Sequence, residues 1–237
     1  MELIPLKSRR LKPGCDLAGK VKSALKRAHL TLKPGDILAV ASKAVSYAEN
    51  RLANARDFEV LRRREASRVF GKGPMVMTLK NKMFIPNAGI DFSNAPEGKI
   101  ILWPRDPFES ARRLRKALEL RRFGILIVDS ALRPLRRGTT GVAIGWAGFE
   151  GVEDLRGTRD LFGKKMKYSQ VSIADNLAAA AELVMGSSDA SIPFVIARGV
   201  KVKFTNQKFS VQDYSMDVKK CLYHGCHLPE AGLPLYP

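Results

Sequence analysis

The sequence has few of the residues on which several common mechanisms depend. Its 237 residues include only three histidines and three cysteines. A Ser-His-Asp triad therefore has little support, and three scattered thiols do not form a disulfide framework. Such sparse cysteine is typical of a compartment in which thiols stay reduced. We expect no structural disulfides.

Long hydrophobic runs are also missing. The longest ones, such as residues 125–128, are far shorter than the roughly 20 residues that a membrane span needs. The N-terminal sequence MELIPLKSRRLKPG lacks the apolar centre of a signal peptide. No Walker sequence occurs, which excludes a P-loop nucleotidase. We therefore expect a cytoplasmic protein without a P-loop.

Acidic residues are strongly outnumbered by basic ones. The chain has 41 lysines and arginines against 23 aspartates and glutamates, a formal net charge of +18. Such a field attracts polyanions, including nucleic acid, at low salt. The basic residues are scattered, and no zinc finger, KH-type loop or RRM-type motif accompanies them. They are either solvated faces or a surface that binds RNA or another polyanion without specificity.

Hydrophobic periodicity predicts a mixed α/β chain without regular βαβ alternation. A buried strand over 36–41 runs into Ser42, and a second over 124–128 ends at Asp129, where α/β proteins often present ligand-binding groups. The glycines within 140–148 predict bends or close backbone approach. We also expect helices over 15–30, 57–70, 107–120, 174–185 and 211–223, and strands over 75–79, 82–85, 99–103, 168–173 and 194–197. A core over 1–200 would be followed by a helix and an extended tail over 201–237.

Two aspartates are the strongest candidates for a metal site. Asp91 lies in NAGIDFSN, and Asp129 lies in GILIVDSALRPLRRG, where Arg133, Arg136 and Arg137 follow it closely. Oxygen ligands beside guanidinium groups suit a hard divalent cation that holds a phosphate chain. This arrangement indicates phosphoryl chemistry. A plain surface ion pair is the alternative interpretation.

Other polar residues near these motifs are suited to the same ligand. Asn94 supplies an amide and Ser130 a hydroxyl, whereas Ser42 and Lys43 end a predicted strand with a hydroxyl and an ammonium group. The loop MGSSDASIP at 185–193 is either a nucleotide contact or an ordinary connection.

The tail suggests a second kind of metal site. Its sequence CLYHGCH contains Cys221, His224, Cys226 and His227. Zinc ligands normally come from two separated clusters that the metal draws together, whereas these four are crowded into one short stretch. We therefore prefer a frayed helix end to a zinc site.

Over residues 35–199 the chain resembles the coenzyme F-420 γ-glutamyl ligases, which form amide bonds between glutamate and a deazaflavin precursor. The resemblance lies in GDILAVASKAVSYAENR, NAGIDFSN, RPLRRGTTGVAIGWAG, DLRGTRDLFGKK, IADNLAAAAELVMG and IPFVIARG. It implies an uncommon α+β fold and an intertwined homodimer. It also implies GTP-dependent ligation with Mg²⁺ or Mn²⁺, in which an acyl phosphate is formed and then attacked by the glutamate amine.

The resemblance and the motifs together define the expected site residues. For the metal these are Asp91, Asp129 and Ser130, the last replacing a typical threonine; for catalysis they are Asp91, Asp129, Arg133 and Arg137; and for the nucleotide they are Ser42, Lys43, Asn94, Met185, Gly186 and Ser187.

The chain also departs from the family pattern. A Gly-Leu-Pro segment of typical members is replaced here by the residues Lys7 to Arg10, and Tyr47 replaces a lysine. The acceptor is therefore either a deazaflavin or a different acid, such as a pterin-like or peptide substrate. A non-catalytic descendant that binds RNA or another polyanion is the alternative outside the enzymes.

Overall fold

A computed structural model describes residues 1–186 and 188–221. Ser187, His224, Cys226 and His227, on which predictions were made, lie outside the described residues. The strands are β1 (Glu2–Leu6), β2 (Ile37–Ala41), β3 (Leu52–Asn54), β4 (Arg68–Phe70), β5 (Met77–Lys80), β6 (Met83–Pro86), β7 (Lys99–Ile101), β8 (Gly124–Leu132), β9 (Thr139–Ala147), β10 (Val152–Asp154), β11 (Gln170–Ser172) and β12 (Phe194–Arg198). The helices are α1 (Leu17–Arg27), α2 (Ser42–Ala48), α3 (Phe58–Glu65), α4 (Pro107–Leu118), α5 (Ile173–Met185) and α6 (Val211–Tyr214).

The main sheet has five strands in the order β1-β12-β2-β8-β9. Strands β2 and β8 are parallel, with Ala41 opposite Val128, and the other neighbouring pairs are antiparallel. The parallel pairing therefore ends at Ala41 and Val128, beyond which β8 continues to Leu132 paired with β9 alone. This confirms the prediction of a mixed α/β chain.

Helices cover both faces of this sheet. Leu38 and Val40 of β2 face a core to which α1 and α4 contribute, whereas Ile37 and Ala39 face a second core to which α5 contributes. Alternate residues of a strand point to opposite faces, so a strand covered on both sides is apolar at every position. This explains the continuous apolar sequences of β2 and β8.

Among the described residues, three smaller sheets lie outside the main one. They have the orders β4-β5-β6, β3-β7 and β10-β11. A separate small core of Ile90, Ile100 and Leu102, with Phe58 and Leu61 packed against it, joins α3 to β7. This part of the chain brings the NAGIDFSN motif to the C-terminal end of β2, where Asp91 pairs with Lys43.

The glycines of β9 lie where helices cross the strand closely. A Cβ on Gly145 would lie 2.5 Å from the backbone of Pro107 in α4, and one on Gly141 would overlap the backbone of Ala178 in α5. The prediction of close backbone approach in 140–148 is confirmed. The segment nevertheless forms one continuous strand, interrupted only by a bulge at Ile144 where its register with β8 shifts.

Two predicted helices are too long. The helix predicted over 57–70 ends at Glu65, and Arg68–Phe70 forms β4, because pairing with β5 favours an extended chain at Val69 and Phe70. The helix predicted over 211–223 ends at Tyr214. Its single turn is fixed from outside, since the Tyr214 hydroxyl donates to Asp175 of α5. Among the described residues, no helix has the length and apolar character to cross a membrane.

Candidate active site

A cleft of about 560 Å³ opens where β2 ends and its parallel pairing with β8 stops. Ser42 follows the last residue of β2, and Asp129 follows Val128 in the neighbouring strand. The Ser42 Oγ donates a hydrogen bond of 2.8 Å to Asp129 Oδ1. Strand ends of this kind are common ligand sites in α/β proteins.

The Asp129 carboxylate is surrounded by neutral donors. In addition to Ser42, the indole Nε1 of Trp103 donates to its Oδ2. Burial raises the pKa of Asp129 above its usual value, although these hydrogen bonds and the charge of Lys43 oppose the increase. A cation that approaches this carboxylate would relieve the cost of its buried negative charge.

The Asp91 carboxylate has a charged partner instead. Lys43 Nζ lies 2.7 Å from Asp91 Oδ2, and the Ser93 backbone N–H donates to Asp91 Oδ1 at 2.7 Å. Burial acts to raise the pKa of Asp91, but the hydrogen bonds from Lys43 and Ser93 outweigh it and hold the pKa below its usual value. Asp91 is therefore an ionised group with its charge already balanced.

The backbone before Asp91 is fixed by the first residues of the same motif. Asn87 and Ala88 have positive φ values of 47° and 54°. The Asn87 side chain accepts the Val76 N–H and donates to the Pro74 carbonyl, and Ala88 N–H donates to Thr78. These bonds support a conformation that non-glycine residues adopt at a cost. The NAG part of NAGIDFSN is therefore structural.

Consecutive residues thus contact both carboxylates, Ser42 contacting Asp129 and Lys43 contacting Asp91. The sequence predicted Asp91 and Asp129 to converge, and the structure brings both to the same cleft. Among the described residues, no three His, Cys, Asp or Glu side chains are grouped to hold a metal ion. A cation here would need further oxygens from Ser130, the substrate or water.

Most of the other predicted residues line the same cleft. Those present are Ser42, Lys43, Asn94, Ser130, Met185 and Gly186. Arg133 and Arg137 are exposed in the turn between β8 and β9 and are not among the residues that line it. Burial raises the pKa of Tyr214 in α6, and the charge of Arg133 slightly opposes this increase. Their catalytic role stays a prediction, and Ser187 is outside the described residues.

The structure adds residues that the sequence interpretation missed. Glu182 lines the cleft, and burial together with the nearby charge of Asp129 raises its pKa. Its position three residues before Met185, on the same face of α5, was a signal that could have found it. Trp103 had no such signal, because its contact with Asp129 depends on tertiary structure.

The N-terminal segment also reaches the cleft. Ser8 N–H donates to the carbonyl of Ser191 at 2.9 Å, so this segment is attached to the loop after α5. Arg9 and Arg10 line the cleft with exposed side chains. They add positive charge to the same cleft as the two carboxylates.

These features define an enzyme cleft suited to anionic substrates. A comparison with protein families matches residues 5–63 and 57–199 to the family described as F420-0:Gamma-glutamyl ligase. The chain is 38% identical over 225 residues to the coenzyme F420:L-glutamate ligase of Methanopyrus kandleri, which covers 85% of this chain and 87% of the relative. It is 34% identical over 226 residues to the enzyme of the same name from Archaeoglobus fulgidus, covering 85% and 89%. A third relative with this name, from Halorubrum lacusprofundi, is 34% identical over 214 residues, covering 79% and 82%.

The chain therefore belongs to the F420-0:gamma-glutamyl ligase family, and it is a ligase. This confirms the resemblance read from the motifs. It does not favour the alternative of a non-catalytic descendant that binds RNA or another polyanion.

Proposed function

We propose that this ligase uses GTP and a divalent metal ion to join L-glutamate to a carboxylate-bearing small molecule through an acyl phosphate. The observation that carries the proposal is the contact of Ser42 and Lys43 with two separate carboxylates inside one cleft. Since the named relatives are coenzyme F420:L-glutamate ligases, the deazaflavin precursor of that coenzyme is the proposed acceptor.

The chemistry explains why both a nucleotide and a cation are needed. A carboxylate is a poor electrophile, so one of its oxygens first accepts the γ-phosphoryl group of the nucleotide, which leaves as the diphosphate. The glutamate amine then attacks the carbonyl carbon, loses a proton and expels inorganic phosphate. Lys43, held against the cleft by Asp91 and by the Ser93 hydroxyl, is positioned to contact phosphate oxygens as a point charge. Arg9 and Arg10 on the rim are suited to further anionic groups of the nucleotide or the acceptor. The residues of the protein therefore mainly position the reacting groups and neutralise the charge of the phosphates.

The donor set of the cleft fits Mg²⁺ or Mn²⁺. Asp91, Asp129 and Ser130 offer carboxylate and hydroxyl oxygens, the ligands that hard divalent cations prefer. A bound cation would supply stabilisation of the negative charge that spreads over the transferring phosphoryl group. A cation bound to Asp91 would share this carboxylate with Lys43. The Lys43 ammonium group would then either stay beside the cation or turn toward the phosphates.

The loop after α5 is the proposed nucleotide contact. Met185, Gly186 and residues 188–193 line the cleft, and Gly186 has a φ of 69°. This conformation suits glycine and ends the helix at the cleft wall. The volume of about 560 Å³ is within the range of small-molecule sites.

We also propose that the enzyme is an intertwined homodimer. The hairpin between β10 and β11 carries Leu161, Phe162 and Tyr168, whose exposed fractions are 101%, 96% and 88%. Exposed apolar side chains grouped on one arm are typical of an interaction surface. A second copy of the chain is the proposed occupant, and light scattering coupled to gel filtration measures the mass in solution.

The turnover experiment compares purified wild-type and variant proteins. With GTP, Mg²⁺ or Mn²⁺, the acceptor and L-glutamate, the wild-type protein should release phosphate and form the amide. Asp129→Asn and Asp91→Asn should each lower the rate more than about 100-fold, beyond the usual cost of losing an outer-shell partner of a metal ligand. Asp57→Asn is the matched control, because Asp57 is exposed and its side chain makes no capping bond.

A binding experiment separates the nucleotides. A nucleotide at about 100 times its dissociation constant should stabilise the protein by roughly 2.7 kcal/mol in a thermal-shift series with and without metal. Equal turnover in wild type and Asp129→Asn, or no metal-dependent shift with any nucleotide, contradicts the proposed function.

A further inference from the structure

We infer that Trp103 is a positioning residue for this reaction, which fixes the Asp129 carboxylate and sets its place relative to Asp91. The inference rests on the proposed function, because it assigns to Trp103 the task of presenting Asp129 to a cation.

The first step is the pair of hydrogen bonds on Asp129. Trp103 Nε1 donates to Oδ2, and Ser42 Oγ donates to Oδ1 at 2.8 Å. One donor on each oxygen fixes the rotation of the carboxylate as well as its position. A carboxylate offers about four acceptor positions, and because the Ser130 backbone N–H is a third donor, about one remains for a ligand. Asp129 is thus held without being saturated.

The second step is that the indole is itself held firmly. Trp103 is 3% exposed, its carbonyl accepts a 2.8 Å hydrogen bond from Arg51 Nε, and the Lys80 ammonium lies 5.7 Å from its ring centroid. A Cβ on Gly89 would overlap the indole. The glycine of NAGIDFSN therefore provides the space into which the indole fits.

The third step connects the same segment to Asp91. The backbone of Asp91 forms two hydrogen bonds with Ile101, its N–H donating at 2.9 Å and its carbonyl accepting at 2.8 Å. Ile101 lies two residues before Trp103. Residues 101–103 therefore hold Asp91 through the backbone and Asp129 through the indole. A single short segment sets the relation of the two carboxylates.

The experiment replaces each tryptophan by phenylalanine and measures Mn²⁺ binding by calorimetry without nucleotide. Trp103→Phe should weaken Mn²⁺ binding about tenfold, since a hydrogen bond to a charged acceptor is lost. Trp146→Phe is the matched control: Trp146 is 1% exposed, and within the described residues its Nε1 has no hydrogen-bond partner. Its Mn²⁺ binding should equal that of wild type.

A purely structural role would give a different result. Thermal midpoints in EDTA measure how much stability each variant loses through altered packing. This loss of stability should not correlate with the change in Mn²⁺ affinity. Raising the metal concentration should restore much of the kcat of Trp103→Phe, because the loss lies in presenting Asp129. Unchanged Mn²⁺ affinity in folded Trp103→Phe overturns the inference and leaves the proposed function intact. Absence of Mn²⁺ binding in wild type, both without and with nucleotide, overturns both.

One measurement needs no variant. The chain has two tryptophans, and Mn²⁺ bound at Asp129 would contact the surroundings of only one of them. Mn²⁺ should therefore quench the emission of Trp103 and not that of Trp146. The fraction quenched should rise with Mn²⁺ concentration in step with the saturation that calorimetry measures. Emission that stays constant while Mn²⁺ saturates the protein overturns the placement of the indole beside the ion, even if Trp103→Phe fails to fold.

Discussion

Asp91 and Asp129 lie in one cleft but in opposite electrostatic surroundings. Asp91 is paired with Lys43, its side chain is 41% exposed, and its pKa is lowered. Asp129 is bound by a hydroxyl and an indole, and burial raises its pKa. Asp91 is stabilised by a direct ion pair, whereas for Asp129 the more distant charge of Lys43 only partly offsets the cost of burial.

The difference shows which carboxylate depends more on a bound cation. A buried negative charge without an ionic partner lowers the stability of the folded chain, and such a cost is often tolerated at functional sites. Asp91 contributes to the fold and to the site together. Asp129 is expected to contribute to the site at the expense of the fold.

The sharpest test of this comparison is Asp129→Asn without metal. The amide can still accept from Trp103 and donate to Ser42, whereas the buried charge is gone. We expect the thermal midpoint at pH 7 to rise by about 2–4 °C, the effect of about 1 kcal/mol in a chain of this size. Calorimetry in EDTA measures it.

The pH dependence of this gain has a definite sign. Because the folded pKa of Asp129 is raised, its contribution to stability is fully present below the unfolded value near 3.8 and is lost as pH rises through the folded pKa. The advantage of Asp129→Asn should therefore grow with pH above that value. A variant less stable than wild type at pH 7, with activity lost, contradicts the assigned environment of Asp129.

Asp91→Asn should act on stability in the opposite direction. It removes the ion pair with Lys43, and since both side chains are partly exposed at 28% and 41%, the loss should be at most about 1 kcal/mol. Urea unfolding at several pH values measures this loss.

The dependence of stability on pH below about pH 5 distinguishes Asp91→Asn from Asp129→Asn. The folded pKa of Asp91 is lowered, so its stabilisation is present above the unfolded value near 3.8 and disappears as pH falls through the folded pKa. The difference between wild type and Asp91→Asn should hold steady from pH 7 to about pH 5 and shrink below pH 3.8. A difference that grows on acidification contradicts the ion pair.

Much of this site was predictable because strand ends and motifs are local properties. The apolar sequences of β2 and β8 predicted two buried strands and placed Ser42 and Asp129 in the correct neighbourhood. The predicted end of the second strand at Asp129 was wrong, because β8 continues to Leu132 through its pairing with β9. Asp91 was found from its motif. The parallel pairing that puts Ser42 Oγ on Asp129 needed the structure, since nothing in either strand specifies its neighbour.

The parts that were not predictable depend on distant contacts. The sequence predicts Trp103 only as an apolar residue at the end of a short strand. Its N–H donates to Asp129 because of the tertiary structure. The helix prediction failed over 66–70 because pairing with β5 overrode a basic, helix-compatible sequence. Arg133 and Arg137 are close to Asp129 in sequence, but the β8–β9 hairpin carries them away along the strand direction.

The smallest expected effect concerns Tyr47, the residue that replaces the family lysine. Its hydroxyl donates at 2.9 Å to the carbonyl of Asn94, whose own φ is 58°. Tyr47→Phe keeps the ring and removes this bond, which is typically worth about 0.5–1.5 kcal/mol.

Because Asn94 lies three residues after Asp91 in the same motif, the change should loosen the Asp91 side of the cleft and leave Asp129 untouched. We expect weaker nucleotide binding by about twofold to tenfold in a thermal-shift titration, with the pH dependence of the Asp129→Asn gain unchanged when the two substitutions are combined. If Tyr47→Phe altered that gain, the two carboxylates would not be the separate electrostatic units that their surroundings indicate.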